Sequence, residues 1–239
     1  MRTKKTLQIL ILLVLFFAPL TLEQASADTY NLTFIQLTGS TGGSPAATGV
    51  YRANLSDISF NILSLTINDN SFGLGGAAGQ FSGFDLDAIK LSTTFVAAAS
   101  DVNAAPGVSG FDFSTAGTFF TPGTQRSPVD PKLFGTGLTG ITVDNAVATL
   151  ANFDGNSTTA IPGAFGFISM GDGGILSFNL TTPVSPTGLY LYIGEVGDNG
   201  EVAAGRITVA STAVPEPATL LLLGSGLLGL VGFRRKFRK

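Results

Sequence analysis

The chain has 239 residues and contains no histidine, cysteine or tryptophan. These absences exclude histidine- or cysteine-dependent catalysis, disulfide bonds, and zinc sites built from cysteine and histidine. Charged residues make up only 12% of the chain, and the formal net charge is −3. Basic residues are concentrated at both ends, so the part between them is acidic and offers no basic face for nucleic acid.

The N-terminus has the pattern of a signal peptide. Its basic residues are Arg2, Lys4 and Lys5. They precede a short apolar run over residues 9–20, and small residues at Ala25 and Ala27 fit the A-x-A site that signal peptidase recognises. The run is shorter than the about 20 residues that span a bilayer. We therefore expect signal peptidase to remove residues 1–27 and residues 28–213 to form an extracytoplasmic domain.

The composition of residues 28–213 predicts an all-β domain. Strong helix formers are scarce, and short stretches of alternating apolar and polar residues recur between breaks rich in Gly, Pro, Asn and Asp. The candidate strands are residues 30–34, 58–67, 86–96, 140–143, 146–150, 164–170, 175–180, 189–196 and 206–210. About eight to ten strands in one domain predict an antiparallel β-sandwich, with a jelly roll as one of its topologies.

Two connections between these strands carry local signals. Residues 100–134 are rich in Gly and Pro and have few strand signals, so we expect a long loop there. Residues 198–201 read Asp-Asn-Gly-Glu, and Asn-Gly favours the positive φ values of a type I′ turn. We expect this turn to join the strands at 189–196 and 206–210.

Asp85 and Asp87 are the candidate metal ligands. Alternate residues of a strand share one face, so these two carboxylates could converge on a hard cation such as Ca²⁺. Asp172 and Asp198 could supply further oxygens. The competing interpretation is two solvated aspartates beside a turn, because the chain has neither an EF-hand pattern nor a calcium-binding glycine-rich repeat.

Tyr190 and Tyr192 are the candidate sugar-binding residues, because alternate tyrosines share one face of a strand and could stack on a pyranose ring. Packing inside the protein explains the same pattern equally well. No catalytic residue is predicted. Residues 28–213 contain only two glutamates, Glu195 and Glu201, and most aspartates stand beside Gly or Asn, as turn residues do.

Residues 214–239 have the pattern of a membrane anchor. They begin with Val214, Pro215, Glu216 and Pro217. The uncharged run 218–233 predicts a helix of about 24 Å, shorter than the hydrocarbon core of about 30 Å. The basic residues that follow, in the tail 234–239, are Arg234, Arg235, Lys236, Arg238 and Lys239. By the positive-inside rule this stop-transfer cluster stays in the cytoplasm.

This segment resembles the PEP-CTERM sorting signal of Gram-negative bacteria, also called the ice-binding protein C-terminal domain. The matching residues are Pro215, Glu216 and Pro217, the helix glycines Gly224, Gly226 and Gly229, and the basic Arg234, Arg235 and Lys236. The resemblance implies recognition by an exosortase, a membrane cysteine protease-transpeptidase, and removal of the tail. It also implies transfer to the outer surface of bacteria that make exopolysaccharide or biofilm matrix. It covers about the last 25 residues. Residues 28–213, which we call the body, contain no ladder of repeated Thr-x-Thr such as ice-binding faces carry.

Together these patterns predict an exported protein that is held transiently in the inner membrane and then processed by an exosortase. We expect the product to be a surface or exopolysaccharide-matrix protein without catalytic activity or a required cofactor. The second hypothesis is a carbohydrate-binding module, with or without a stabilising calcium ion. The third is a polysaccharide-active enzyme. Exposed Tyr190 and Tyr192 would favour the second, and paired carboxylates in a cleft would favour the third.

Overall fold

The computed structural model describes residues 27–30, 32–71, 73–157, 166–197 and 203–210. The strands in these ranges are β1 (Ala27–Tyr30), β2 (Ile35–Thr41), β3 (Pro45–Ala46), β4 (Thr48–Asn54), β5 (Ile62–Asp69), β6 (Asp85–Ser92), β7 (Thr118–Thr121), β8 (Asn156–Ser157), β9 (Ile168–Ser169), β10 (Ile175–Val184), β11 (Tyr190–Val196) and β12 (Ala203–Ala210). A single helical turn, α1, covers Asn145–Ala148, and 3₁₀ turns cover Gly79–Phe81 and Ala99–Asp101.

Two antiparallel sheets, of five strands each, contain ten of the twelve described strands. Sheet A has the order β1-β12-β5-β10-β7, sheet B has the order β2-β4-β11-β6-β9, and β3 pairs with β8. The pairs are nested along the chain, because β1 pairs with β12, β4 with β11, β5 with β10 and β6 with β9. Successive pairs therefore alternate between the two sheets. The predicted all-β, antiparallel class is confirmed.

One hydrophobic cluster contains side chains of both sheets. Leu65 of β5 and Phe178 of β10 belong to it together with Leu91 of β6 and Ile193 of β11. All four are buried completely, and each contributes about 1.5–3 kcal/mol to folding by leaving water. Because the inner faces of sheets A and B share this core, the sheets pack face to face as a sandwich.

The outer face of sheet B is covered as well. Val50 of β4, Ala88 of β6 and Tyr192 of β11 form a second buried cluster with the segment 96–105 and with Phe153. Strand β11 is therefore buried on both faces, which explains why residues 189–193 read as an almost continuous apolar run.

The two ends of the described sandwich sequence lie side by side. In the register of the β1–β12 pair, Ala27 is opposite Ala210, and Ala210 is also opposite Ser64 near the start of β5. The loops 55–61 and 185–189 close the same end, where the Leu55 N–H donates to the Leu189 carbonyl at 2.9 Å. We call this end of the sandwich, with Ala27, Ala210 and these two loops, the terminal end.

Several local predictions differ from the structure. Residues 146–150 do not form a strand, because the Asp144 side chain accepts a hydrogen bond from the Ala146 N–H and caps α1. Residues 140–143 form a turn region in which a single bridge joins Val143 to Thr136. Residues 100–134 are mostly irregular, as predicted, but they include β7. The predicted turn at 198–201 lies outside the described residues.

Candidate functional site

Asp85 and Asp87 lie at the start of β6, and both are buried. Asp85 Oδ1 accepts a hydrogen bond from Ser169 Oγ on β9 at 2.5 Å. Asp87 Oδ2 accepts from Thr48 Oγ1 on β4 at 2.5 Å, and its Oδ1 accepts from the Gly155 N–H at 3.0 Å. The alternative interpretation, two solvated aspartates beside a turn, is therefore wrong.

A second carboxyl, that of Asp154, interacts with Asp87. Burial raises the pKa of Asp87 to about 8 against the opposing hydrogen bonds from Thr48 and Gly155, and the charge of Asp154 raises it further. Burial also raises the pKa of Asp154, while hydrogen bonds from Thr149 and Asp87 oppose that rise. Burial and the charge of Asp154 both favour the protonated form of Asp87, which then donates a hydrogen bond to the Asp154 carboxylate.

Two glycines make room for this carboxyl pair. Gly155 has a φ of +64°, and a Cβ there would lie 2.5 Å from the Ala46 carbonyl oxygen. A Cβ on Gly194 of β11 would lie 2.7 Å from Thr48 Cγ2 and 3.1 Å from Asp87 Cβ. A larger residue at either position would displace the Thr48–Asp87 contact, so both glycines are structural requirements of the pair.

Calcium binding by Asp85 and Asp87 stays a prediction. Their carboxylates bind different partners, and among the described residues no group of three or more acidic side chains is placed to hold a metal ion. Asp172, a further candidate ligand, forms an ion pair with Arg126, in which Oδ2 and Nε are 3.4 Å apart. Asp198 lies outside the described residues.

Tyr190 and Tyr192 share one face of β11, but their environments differ. The Tyr192 ring is fully buried, and its hydroxyl donates to the Thr94 carbonyl at 2.7 Å and accepts from the Val96 N–H at 2.9 Å. Burial raises the pKa of Tyr192. This side chain fixes the segment that crosses sheet B. Only Tyr190, which is half-buried, is placed to meet a ligand.

Tyr190 borders a groove of about 520 Å³ at the edge of the sandwich. The groove is lined by Tyr30 of β1, Leu32, Thr33, Ile35 of β2, Arg52 and Asn54 of β4, Leu55, Asp57, Ile58, Phe95 and Tyr190. We call this site the edge groove. It lies between the outer strands of the two sheets and beside the loop 55–61, so it belongs to the terminal end of the molecule.

Arg52 and Phe95 form the wall of the edge groove next to Tyr190. Arg52 Cζ lies 3.8 Å from the centroid of the Phe95 ring and 5.8 Å from that of Tyr190. The Arg52 Nη1 donates to the Val96 carbonyl at 2.5 Å. Phe95 meets Tyr190 edge to face, with ring centroids 5.7 Å apart. These contacts hold the guanidinium and both rings in place.

Neither Arg52 nor Phe95 was predicted to belong to a site. Phe95 was assigned to the interior of a strand at 86–96, whereas β6 ends at Ser92 and Phe95 remains 58% exposed. Arg52 lies in β4, a strand that has no alternating apolar pattern. The sequence signal that could have identified Arg52 is its charge, because residues 28–213 contain few basic residues.

The predicted sorting motif Val214–Pro217, the helix 218–233, the basic tail 234–239 and Ala25 lie outside the described residues. Ala27 is the first residue of β1. No helix in the part of the chain that the structure describes is long and apolar enough to cross a membrane.

Comparison with known families identifies the C-terminal segment. Residues 213–236 match the PEP-CTERM protein-sorting motif. The match confirms the resemblance and its restriction to the C-terminal segment. It includes all four residues from Val214 to Pro217 and the basic residues Arg234, Arg235 and Lys236. No curated protein and no solved structure matches the chain.

The raised pKa of Asp87 predicts that stability falls as the pH rises. The native state keeps the Asp87 proton up to about pH 8, whereas the unfolded state loses it near pH 4, so between these values the unfolded state binds fewer protons. The free energy of unfolding should then decrease with pH by at most about 1.4 kcal/mol per unit for this group. Asp87→Asn mimics the protonated acid and should remove that part of the slope.

Urea unfolding at half-unit steps from pH 4.5 to 8 measures the effect. Asp57→Asn is the matched control, because Asp57 is exposed, and it should keep the wild-type slope. Equal slopes for the wild type and Asp87→Asn would show that Asp87 is already ionised in the native state.

The calcium hypothesis predicts a stabilised native state. If Asp85 and Asp87 ligate Ca²⁺, a hundredfold excess over Kd should stabilise the fold by about 2.7 kcal/mol. The gain should be larger at pH 8 than at pH 6, because Asp87 must lose its proton to bind. Thermal unfolding in calcium chloride and in EGTA measures it, with Asp85→Asn as the variant that should lose the response. Identical melting temperatures in both solutions at pH 8 would refute calcium binding.

Proposed function

We propose that this protein is an exported surface or exopolysaccharide-matrix protein that an exosortase releases from the inner membrane, and that it has no catalytic activity of its own. The observation that carries the proposal is the match of residues 213–236 to the PEP-CTERM sorting motif. The motif implies an exosortase as the processing partner. The signal-peptide pattern of residues 1–27 supports export.

The proposed order of events follows from the two ends of the chain. Signal peptidase cuts between Ala27 and Asp28, while the apolar run 218–233 remains in the inner membrane with its basic tail in the cytoplasm. The exosortase then acts near Pro215–Pro217. Two prolines hold that segment extended, which is the form in which a protease cleft accepts a chain. The body then passes to the outer surface.

The register of β1 and β12 supports a close approach of the folded body to the membrane. Ala210 is the last residue of β12, and three residues separate it from Val214. At up to about 3.6 Å per residue, the chain from Ala210 to Val214 can span at most about 14 Å. The terminal end therefore faces the membrane in the precursor, because Ala210 belongs to it.

The nested strand pairs support a jelly-roll topology. A long hairpin of four pairs, rolled so that successive pairs fall in alternate sheets, produces the observed pairing of β1–β12, β4–β11, β5–β10 and β6–β9. Strands β2 and β7 extend the two sheets at their edges. This architecture is used by lectin and capsid domains, among others, so it is compatible with a binding or structural role.

The placement of the carboxyl groups favours a non-enzymatic body over a glycoside hydrolase. Such enzymes separate their two carboxyls by about 5 Å or more so that a sugar fits between them. Asp87 and Asp154 instead hydrogen-bond to each other, and Glu195 is fully buried in β11.

A carbohydrate-binding module is the second candidate function, and the edge groove is the observation that favours it. The groove combines exposed aromatic surface with the polar side chains of Thr33, Arg52, Asn54 and Asp57. Of the two candidate tyrosines, Tyr190 lines the groove, whereas Tyr192 is buried. Binding of the protein to a glycan array tests this function.

Replacement of Pro215-Glu216-Pro217 by three alanines should block processing. Alanines let helix propagate through the junction and remove the Glu216 carboxylate. The precursor should then accumulate in the inner membrane with Lys239 attached. Intact-mass measurement of the membrane and surface fractions checks this, in a host that has the exosortase. A wild-type surface form that still ends at Lys239 would contradict the proposal.

Deletion of residues 211–213 should also slow processing, although the motif itself stays intact. The deletion places Pro215 two residues after Ala210, which is paired with Ser64 of β5. The protease would have to separate β12 from its neighbours to bind an extended substrate. Replacing residues 211–213 with Gly-Ser-Gly is the length-matched control and should be processed at the wild-type rate, measured by pulse-chase. Normal processing of the deletion variant would show that the exosortase needs no free linker.

A further inference from the structure

We infer that the edge groove binds the neutral pyranose units of a polysaccharide. The inference rests on the second candidate function, and it names the site and the chemistry of the ligand. With about 520 Å³, the groove falls within the range of about 300–1,000 Å³ that small-ligand sites occupy.

The apolar side of the groove fits the C–H face of a sugar ring. Phe95 is 58% exposed and Ile35 is 56% exposed, which is unusual for two large apolar residues in one small concave site. Arg52 packs on the Phe95 ring, and Tyr190 abuts it edge to face. The aromatic surface is therefore fixed before a ligand arrives, and binding costs little side-chain entropy.

The polar side of the groove offers both donors and an acceptor. Asn54 Oδ1 already accepts hydrogen bonds from the Ser56 N–H at 3.0 Å and from Ser56 Oγ at 2.7 Å, so its Nδ2 is the group left to donate. Asp57 is exposed and carries acceptor oxygens only. The Arg52 guanidinium has further N–H groups besides the Nη1–H that binds Val96.

The two charges of the groove do not neutralise each other. Arg52 and Asp57 both line it, yet the ion pair found among the described residues joins Arg126 to Asp172. A fully anionic ligand would meet the Asp57 carboxylate, and a cationic ligand would meet Arg52. A hydroxyl group accepts from Arg52 or Asn54 and donates to Asp57, so a neutral ligand with several hydroxyls satisfies all three.

Wild-type and variant proteins test the assignment with defined sugars. The full-length chain, purified in a detergent without a sugar headgroup, is screened against neutral hexasaccharides of glucose, mannose, galactose and N-acetylglucosamine, and against hexasaccharides of uronic acids. Calorimetry then measures Kd for the sugar that binds. Phe95→Ala removes the stacking surface, and Asp57→Asn removes the charge and replaces one of the two acceptor oxygens with an NH₂ donor. Phe119→Ala is the matched control, because Phe119 is a half-buried aromatic residue of β7 outside the edge groove.

We expect a neutral hexasaccharide to bind, and we expect Phe95→Ala and Asp57→Asn each to raise Kd by about tenfold. Phe119→Ala should leave Kd unchanged. Melting temperatures verify folding, and Asp57→Asn keeps the test valid if Phe95→Ala proves unstable, since Asp57 makes no packing contribution to the core.

The outcomes separate the site from the function. If no sugar binds the wild-type protein, the carbohydrate-binding function and the site both fail. If a sugar binds and neither groove variant changes Kd, the function stands and the assignment of the edge groove is wrong. If only uronic acid sugars bind, with loss of binding in Arg52→Lys, the groove is a site but the inference of a neutral ligand is overturned.

Discussion

Burial of β11 on both faces is the constraint on which the rest of the described structure depends. Its inner side chains, including Ile193, fill the core shared by the two sheets. Its outer face carries Tyr192, whose hydroxyl binds the backbone at Thr94 and Val96 and so holds the covering segment against sheet B. Phe95, between these two residues, is thereby turned outward. The exposed aromatic wall of the edge groove is a consequence of a hydrogen-bonded tyrosine beneath it.

The same outer face of sheet B accommodates buried carboxyls, which are costly to desolvate unless they are neutral or hydrogen-bonded. Asp85 and Asp87 both meet that requirement, the first through Ser169 and the second through Thr48, Gly155 and Asp154. A polar network of this kind specifies how the loop around Asp154 docks on the sheet. Burial also keeps Asp85 and Asp87 away from the surface of the described sandwich.

The strand register connects the body to its export. With Ala27 opposite Ala210, the predicted signal peptide and the sorting segment both extend from the terminal end, where the edge groove also lies. In the proposed precursor this end faces the inner membrane, so the groove would become fully accessible after the tail is removed. Ligand binding would then follow processing, because the membrane covers the groove until the tail is removed, and no conformational change in the sandwich would be needed.

Local patterns in the sequence were sufficient for the all-β class and the C-terminal sorting motif. Strands with clear alternation or continuous apolar runs, such as β5, β10 and β11, were predicted correctly, because the order of apolar and polar residues along them reflects which side chains are buried. β2 and β4 were missed because their residues are mostly small or polar, and their few apolar residues, such as Val50, are too sparse to form a clear alternating pattern. The apolar pattern of residues 146–150 predicts a strand, but a helical turn forms at Asn145–Ala148 because the Asp144 side chain caps it.

The sequence by itself determined the features that depend on neighbouring residues. These are the class of fold, the C-terminal sorting motif, and the shared strand face of Tyr190 and Tyr192. Only the tertiary structure decided which of these tyrosines is fully buried, that Asp87 meets Asp154 about 70 positions later rather than Asp85, and that Arg52 lies over Phe95. Each of these contacts joins residues far apart in the chain. Their positions follow from strand order and register, which long-range packing establishes and which no local pattern encodes.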